Sequence, residues 1–252
     1  MPILCDVVEA GIACVTISNP RRRNALDLEM FEELARLWPR LADDAAVRVV
    51  VMRGAGGDAF CSGADLHAHL DRRDGIDDLV DRALLKTGFF PKPLVAAIEG
   101  ACVAGGLELA LAADIRLAAE DATIGFPEVT WGIVPSGGGA MKLIDQIGHA
   151  ASMDLLLTGR LVSGREACSI GLVGETCPVD RVWSNALAKA RLVAAGSASA
   201  IRVTKQCALA RRAIAYRSLE PEERERVAAH RLGGDPDEGK AAFIEGRPPV
   251  FR

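Results

Sequence analysis

A pair of adjacent glycines ahead of a predicted helix is the first feature of the chain that could support chemistry. Gly105 and Gly106 follow the short apolar run LVAAI at residues 94–98 and precede the helical sequence LELALAAD at residues 107–114. A helix N-terminus presents unpaired N–H groups and a partial positive charge, and glycine lets a ligand approach that backbone closely. Such a corner suits an oxygen that becomes negative during a reaction, such as a thioester oxygen turning into an enolate. The alternative is that the glycines only allow a helix and a strand to pack closely.

Two glutamates carry the next chemical signal. Glu108 lies between Leu107 and Leu109 in a strongly apolar segment. A carboxylate is costly to bury there unless it is hydrogen-bonded, so it invites a functional explanation; the alternative is a salt bridge or a local amide partner. Glu128 follows Pro127 in a segment too rich in glycine and proline for a regular helix, and its alternative is a surface loop carboxylate.

Several other motifs lack the neighbouring sequence that their usual function requires. Residues 54–59 match G-x-G-x-x-A after a predicted strand, but a dinucleotide site needs the loop to open a helix, and FCSG follows at 60–63. His67 and His69 form an H-x-H pair without a third ligand at suitable spacing, so no metal site is predicted. The 7 cysteines include no C-x-x-C pair, which favours reduced, mostly buried thiols.

Hydrophobic patterns predict the elements that must position these groups. Continuous apolar runs are typical of strands buried on both faces, and Glu9-Ala10-Gly11 indicates a hairpin. Strand–helix alternation favours an α/β core with parallel pairing. The predicted strands are residues 3–8, 12–18, 47–52, 94–98 and 115–119.

The helical predictions are as follows. Asp27 is predicted to cap a helix, which Pro39 kinks or ends. Residues 66–90 are expected to be helical pieces joined by mobile links, residues 100–106 a glycine-punctuated turn, and residues 180–246 almost entirely helical. A basic stretch in this last part indicates either a solvated helix face or an interface or phosphate contact. It comprises Arg191, Arg202, Lys205, Arg211 and Arg212.

Composition limits the function classes. The 252 residues carry a net charge of −4, whereas a dedicated nucleic-acid binder usually has a basic excess. The N-terminus lacks the basic region and cleavage site of a signal peptide, and no uncharged apolar run is long enough to span a bilayer. The sequence therefore predicts a cytoplasmic protein with no membrane or nucleic-acid partner.

Several ordered motifs resemble the enoyl-CoA hydratase/isomerase, or crotonase, superfamily over essentially the whole chain. They are NPRRRNALD (19–27), FCSGADL (60–66), PKPLVAAIEGACVAGGLELALAADIRLA (91–118), IGFPEVTWGIVPSGGGAMKL (124–143) and AFIEGRPPVF (242–251). The resemblance implies an α/β fold with a crotonase-like ββα spiral core at residues 1–195. It also implies a C-terminal helical trimerisation region at residues 196–252, and a homotrimer or a dimer of trimers.

The resemblance also implies the site. The backbone N–H groups of Ala64 and Gly105 would form the oxyanion hole, and Glu108 and Glu128 would be the catalytic acid/base pair. The remaining implied residues would contact the substrate or its CoA part: Arg23, Ala25, Ser62, Asp65, Leu66, Pro127, Trp131 and Ser136. No separate cofactor is expected, because CoA is part of the substrate.

The implied function is hydration of 2-enoyl-CoA thioesters to 3-hydroxyacyl-CoA. The alternatives are another crotonase reaction (isomerase, dehydratase, decarboxylase or thioesterase) or a non-catalytic RNA-binding or scaffold member. Several positions depart from the family pattern. Ala140-Met141-Lys142 stands where Thr-Gln-Arg is usual, and Gly246 stands where lysine is more frequent. Ser136 replaces the usual glycine, and Trp131 replaces a medium aliphatic residue. Trp131 would shorten or reshape the acyl pocket if it points inward, or pack in the core or an interface if it points outward.

Overall fold

The strands alternate between two sheets. The computed structural model describes residues 2–68 and 74–251. Within these residues the strands are β1 (Ile3–Glu9), β2 (Ile12–Ile17), β3 (Val49–Gly54), β4 (Ala59–Cys61), β5 (Leu94–Ile98), β6 (Ala101–Val103), β7 (Ile115–Ala119), β8 (Thr123–Gly125), β9 (Leu161–Ser163) and β10 (Glu175–Cys177). The first sheet has the order β1-β2-β3-β5-β7-β10, and the second has the order β4-β6-β8-β9. Apart from the β1–β2 hairpin and the β8–β9 pair, neighbouring strands are parallel.

The helices complete a repeated unit. They are α1 (Leu28–Asp43), α2 (Ile76–Leu84), α3 (Gly105–Ala110), α4 (Gly139–Ile147), α5 (His149–Thr158), α6 (Gly164–Ser169), α7 (Val179–Ala195), α8 (Ala198–Arg231) and α9 (Asp235–Glu245). The pairs β3–β4, β5–β6 and β7–β8 each give one strand to each sheet before the chain turns helical. The expected α/β ββα spiral with a helical C-terminal part is therefore confirmed, while the division at residue 195 stays a prediction.

Apolar strands form the centre of the molecule. Residues 49–52 of β3 and every residue of β5 have no exposed surface. Such strands read as unbroken runs of Val, Ile, Leu and Ala because both faces of a covered parallel sheet are buried. Helix α7 covers the first sheet through Val182, Ala186 and Ala190.

Helix α1 begins as predicted and ends later than Pro39. The Asp27 carboxylate accepts a hydrogen bond from the Met30 N–H at 3.0 Å. The helix continues past Pro39 to Asp43, so the proline does not end it. Its buried side chains, among them Phe31 and Leu34, face the core.

Short strands were the main feature that the sequence patterns missed. The predicted turn at residues 100–106 contains β6, and the predicted helix at 107–114 instead starts at Gly105 and ends at Ala110. Strands β8, β9 and β10 have three residues each, too few for an alternation pattern to show. The loop after Gly54 leads into β4 and opens no helix, which agrees with rejection of a dinucleotide site.

The basic stretch binds the helical part to the core. Lys205 lies 2.6 Å from Asp114, Arg212 lies 3.7 Å from Asp145, and Arg191 pairs with Glu9. Each has a carboxylate partner outside its own helix, but the side chains of Arg191 and Arg212 are 55% and 34% exposed, so the solvated-face interpretation is contradicted only for Lys205, whose side chain is 9% exposed. None of the helices within residues 2–68 and 74–251 combines the length and the hydropathy of a membrane span.

Candidate active site

One cavity of about 600 Å³ contains every residue that the sequence predicted for the site. Both glutamates, both predicted oxyanion residues and all eight predicted substrate contacts lie on its wall. These residues come from segments far apart in the chain, which the two sheets and the short helix α3 bring together. They are Arg23, Ala25, Ser62, Ala64, Asp65, Leu66, Gly105, Glu108, Pro127, Glu128, Trp131 and Ser136.

The amides of Ala64 and Gly105 occupy one corner of this cavity. The Leu26 N–H donates to the Gly63 carbonyl at 2.7 Å, and the Asp65 N–H donates to the Leu26 carbonyl at 2.8 Å. In this parallel bridge the N–H of Ala64 points away from Leu26. Gly105 is the first residue of α3, so its N–H has no acceptor within the helix. Both amides are thus available for an external acceptor.

The backbone of this corner is strained and closely packed. Ala104 has φ 52°, which non-glycine residues rarely adopt, and Gly63 has φ +92°. A Cβ built on Gly63 would lie 3.0 Å from the Gly105 nitrogen, and one on Gly106 would lie 2.1 Å from the Cys61 carbonyl oxygen. The small residues therefore let the two loops touch. Backbone outliers of this kind cluster at functional sites.

Glu108 is buried and held by the start of helix α4. Its residue is 4% exposed, and its Oε1 accepts a hydrogen bond from the Gly139 N–H at 2.9 Å. A Cβ on Gly137 would lie 2.3 Å from the other carboxylate oxygen, so the glycines make room for this side chain. Burial raises the pKa of Glu108 to about 7, although the Gly139 amide, the Lys142 charge and the Gly137 amide all lower it. The amide-partner interpretation is correct for Glu108, and the side chain also faces the cavity.

Glu128 is buried with one oxygen unpaired. It lies in a single 3-10 turn at Pro127–Trp131 and is 8% exposed, so the surface-loop interpretation is wrong. Its Oε2 has no hydrogen-bond partner among the described residues. Burial, followed by the charge of Glu108, raises its pKa well above the ordinary value.

The two carboxyl groups therefore act as an unequal pair. Burial is the main cause that raises both pKa values, and the charge of Glu108 raises that of Glu128 further. The amides of Gly139 and Gly137 and the charge of Lys142 lower the pKa of Glu108, whereas only its own backbone amide lowers that of Glu128. Two buried carboxyl groups in unlike surroundings are the usual arrangement for one acid and one base in a single site.

The cavity mouth is lined by a loop that Asn24 anchors. The buried Asn24 side chain donates to the carbonyl oxygens of Ala59 at 2.6 Å and Ala55 at 3.0 Å. Arg23 and Asn24 both have left-handed φ values, 51° and 57°. The sequence analysis missed Asn24, although asparagine tolerates this conformation better than most residues. The Arg22 guanidinium, beside it, pairs with Asp65 at 3.1 Å.

The far wall of the cavity is aromatic. Trp131 packs edge-on against Phe243 of helix α9, with ring centroids 5.2 Å apart. Trp131 lines the cavity, which agrees with the expectation that it points inward. Ser136 lies on the same wall. Helix α9 packs so tightly here that a Cβ on Gly239 would overlap the Trp131 carbonyl oxygen.

The expected absence of a metal site is not decided at the H-x-H pair. His67 lies at the exposed mouth, 6.1 Å from the Phe243 ring between centroids, and His69 lies outside the described residues. Within residues 2–68 and 74–251, no group of three or more His, Cys, Asp or Glu side chains is arranged to hold a metal ion.

Comparison with known sequences decides the family. The sequence model described as enoyl-CoA hydratase/isomerase matches residues 7–252. The chain belongs to this family.

Similar proteins in the family cover almost the whole chain. The enoyl-CoA hydratase EchA19 of Mycobacterium tuberculosis is 35% identical over an alignment of 252 positions that covers 94% of this chain and 92% of that protein. The (E)-benzylidenesuccinyl-CoA hydratase of Thauera aromatica is 33% identical and covers 100% of this chain and 99% of its own. A carnitinyl-CoA dehydratase structure from Mycobacterium avium has TM-score 0.91 and 28% identity, covering 100% of this chain and 98% of its own. The expectation of an enzyme of the enoyl-CoA hydratase class is confirmed.

One supporting residue of the site was not evident from the sequence patterns. Lys142 is buried behind Glu108 in this enoyl-CoA hydratase/isomerase member and acts on its charge. A lysine in the segment GAMKLIDQI gives no local signal of burial. Its position is set by contacts with α2, which lies 58 residues earlier in the chain.

Proposed function

We propose that this protein hydrates 2-enoyl-CoA thioesters to 3-hydroxyacyl-CoA. One observation carries the proposal: two buried carboxyl groups, both with raised pKa values, share a cavity with two backbone amides that have no acceptor among the described residues. The hydratase names of several relatives support the same reaction class. The acyl group stays open, because the names of those relatives refer to different acyl groups.

The proposed mechanism uses the pair as one base and one acid. The thioester carbonyl oxygen would accept hydrogen bonds from the N–H groups of Ala64 and Gly105. Ionised Glu108 takes a proton from water as the water oxygen bonds to the β-carbon, and the Cα=Cβ π electrons move toward the carbonyl as an enolate. Protonated Glu128 then gives its proton to the α-carbon. Water is consumed, and a proton transfer from Glu108 to Glu128 restores the starting state.

The stabilisation of the enolate should be a large part of the rate enhancement. Backbone donors that are fixed before the reaction do not need to reorganise when charge develops on the oxygen. The strained Ala104 and the close contact between Gly63 and Gly105 fix both donors in advance. Loss of one such donor costs about 3 kcal/mol of barrier in enzymes of this kind.

CoA binding is proposed for the mouth of the cavity. Arg21, Arg22 and Arg23 line it, and guanidinium donors match phosphate oxygens in geometry and charge. No separate cofactor is part of this proposal. A homotrimer or a dimer of trimers is also proposed, supported by exposed apolar residues on helix α8 such as Val203 and Ile214. Light scattering should give three or six times 26.7 kDa, and a monomeric mass would contradict the proposal.

The decisive experiment neutralises each glutamate in turn. Glu108→Gln and Glu128→Gln should each lower kcat for hydration of crotonyl-CoA by about 10²–10⁴-fold, because each removes one proton-transfer group. Loss of the enoyl absorbance band measures the rate. Glu99→Gln is the matched control, since Glu99 is also buried but pairs with Arg53 away from the cavity. Near-normal turnover in both site variants, or faster conversion of another CoA thioester without hydration, would overturn the proposal.

The pH dependence should follow from the unequal pair. Hydration needs Glu108 ionised, so kcat/KM should rise as pH increases through about 7, the pKa that burial gives this group. It should fall again at higher pH when Glu128, whose pKa burial and Glu108 raise well above its usual range, loses its proton. A profile that is flat from pH 6 to pH 8, measured on crotonyl-CoA at subsaturating concentration, would contradict this assignment.

A further inference from the structure

A buried lysine stands behind the predicted base. Lys142 lies on helix α4 and is 1% exposed. Its Nζ donates to the carbonyl oxygens of Leu85 at 2.8 Å and Leu84 at 3.2 Å, and it forms no salt bridge with any carboxylate in the described part of the chain. Burying an ammonium group without a direct counter-ion is costly, so its position calls for an explanation beyond packing.

Helix α4 connects this lysine to both sides of the cavity. Its first residue, Gly139, supplies the N–H that holds Glu108, and Lys142 follows one turn later. The carbonyls that Lys142 binds belong to the end of α2, where Leu84 lines the cavity. A Cβ built on Gly138 would lie 3.3 Å from the Lys142 Cε, so this lysine packs directly under the glycine turn. One side chain thus joins the support of Glu108 to the wall of the cavity.

We propose that Lys142 is a positioning residue for catalysis, whose buried ammonium keeps Glu108 ionised and clamps the end of helix α2 against the cavity. This inference deepens the proposed function and rests on it for the role of Glu108. Lys142 itself touches no reacting atom. It acts through Glu108 and through the α2 carbonyls.

The charges around the pair fit this role. Glu223 from α8 opposes ionisation of Glu108, and Lys142 is the cation whose charge favours it. The charge of Glu108 in turn raises the pKa of Glu128 in the 3-10 turn. Burial lowers the pKa of Lys142 to about 8, against the charges of Glu108 and Asp81 and together with those of Lys86 and Arg116. Lys86 in turn pairs with Glu223 at 2.8 Å. The charges of Glu108 and Lys142 therefore favour each other.

The test compares two variants that lack the positive charge at position 142 with one variant that keeps it. Lys142→Met and Lys142→Gln are neutral, and the glutamine can still donate to the α2 carbonyls. Lys142→Arg keeps the charge. In the neutral variants the acid limb of kcat/KM for crotonyl-CoA should move up by about one pH unit, the size of effect that a nearby opposite charge has. At pH 6 this corresponds to a loss of about tenfold, which should shrink at pH 8 and be reversed in Lys142→Arg.

Two further measurements separate positioning from stability. Lys205→Met removes a half-buried lysine, paired with Asp114 outside the active cavity, and should lower Tm without moving the acid limb. The carboxyl ¹³C signal of Glu108, followed by NMR in full-length protein, should titrate at higher pH in Lys142→Gln than in the wild type.

Equal losses of activity at every pH together with an unchanged Glu108 titration would overturn the proposal and leave Lys142 a structural role only. The NMR readout does not depend on turnover. If Glu108→Gln and Glu128→Gln both show near-normal turnover, the proposed function fails, whereas the titration still reports whether Lys142 sets the charge of Glu108. If Lys142→Met does not fold, Lys142→Gln and Lys142→Arg decide the question in the same way.

Discussion

The central strands and the cavity at their ends differ in backbone regularity and in the kind of side chain that they bury. Strands β3 and β5 consist almost wholly of buried aliphatic residues in regular parallel pairing. The cavity contains a non-glycine residue with positive φ at Ala104 and, at Glu128, a carboxylate oxygen without a partner among the described residues. The buried, ionisable Glu108 lines it, and the buried Lys142 lies behind Glu108. The cavity is therefore the region where the chain departs from the arrangement that stability alone would favour.

This contrast predicts opposite effects of substitution in the two regions. A change in the central strands should lower stability and leave the chemistry of the cavity intact. A change at a buried ionisable group in the cavity should abolish chemistry and can raise stability, because the group is costly to bury in its charged form. The following predictions test this division, beginning with the largest expected effect.

Apart from the two glutamate variants, Gly106→Ala should have the largest effect, because it separates the two loops of the predicted oxyanion corner. The new Cβ would lie 2.1 Å from the Cys61 carbonyl oxygen, so helix α3 must move away from strand β4. That movement displaces the Gly105 amide, and we expect kcat for crotonyl-CoA hydration to fall by about 10²–10³-fold, the usual cost of losing one oxyanion donor.

Gly88→Ala is the matched control for this change. Gly88 has ordinary backbone angles and no atom within 4 Å of a built Cβ. Its kcat and Tm should stay close to those of the wild type. A Gly106→Ala enzyme with normal kcat would show that catalysis tolerates displacement of the Gly105 amide. It would contradict the proposed difference between the cavity and the central strands.

Glu108→Gln should stabilise the protein at alkaline pH. The folded pKa of about 7 exceeds the ordinary 4.5, so the wild type loses stability as pH rises between these values, whereas glutamine does not titrate. The difference in free energy of unfolding should shift in favour of the variant by about 3 kcal/mol from pH 4.5 to pH 8. Urea unfolding at several pH values measures it. A difference that stays constant with pH would contradict the burial of a charged Glu108.

The same contrast explains which parts the sequence could predict. The buried runs at β3, β5 and β7 and the Asp27 cap produce strong local patterns, so their elements were placed within a few residues. Strands of three residues, such as β8, owe their existence to neighbours distant in the chain. No local pattern could show them.

The candidate site divides in a similar way. Motifs and resemblance identified both glutamates and both small residues of the corner, and the structure places them in one cavity. The burial of Glu128, the lysine behind Glu108 and the anchoring role of Asn24 depend on contacts between remote segments. Only packing reveals these supporting features, which determine the pKa values and the backbone geometry of the site.

Val51→Ala should show the opposite behaviour to Glu108→Gln. Val51 is fully buried in β3, and removal of two methyl groups should lower the free energy of unfolding by about 2 kcal/mol through lost burial and a residual cavity. The loss should be the same at pH 5 and pH 8, and kcat should be unchanged. A large fall in kcat would show that the central strands are coupled to the chemistry and would weaken the division between the regions.

Trp131→Leu should have the smallest effect, confined to substrate choice. The indole lines the cavity and is held by its edge-on contact with Phe243, so a smaller side chain lengthens the space beyond the reacting carbons. We expect the ratio of kcat/KM for an eight-carbon over a four-carbon enoyl-CoA to rise by about tenfold, the discrimination that small changes in a hydrophobic pocket produce.

Trp183→Leu is the control, because Trp183 packs on Arg53 and does not line the cavity. It should lower Tm without changing the ratio. If both variants leave the ratio unchanged, Trp131 does not limit the acyl chain, and its contact with Phe243 serves only to hold helix α9 on the turn that carries Glu128.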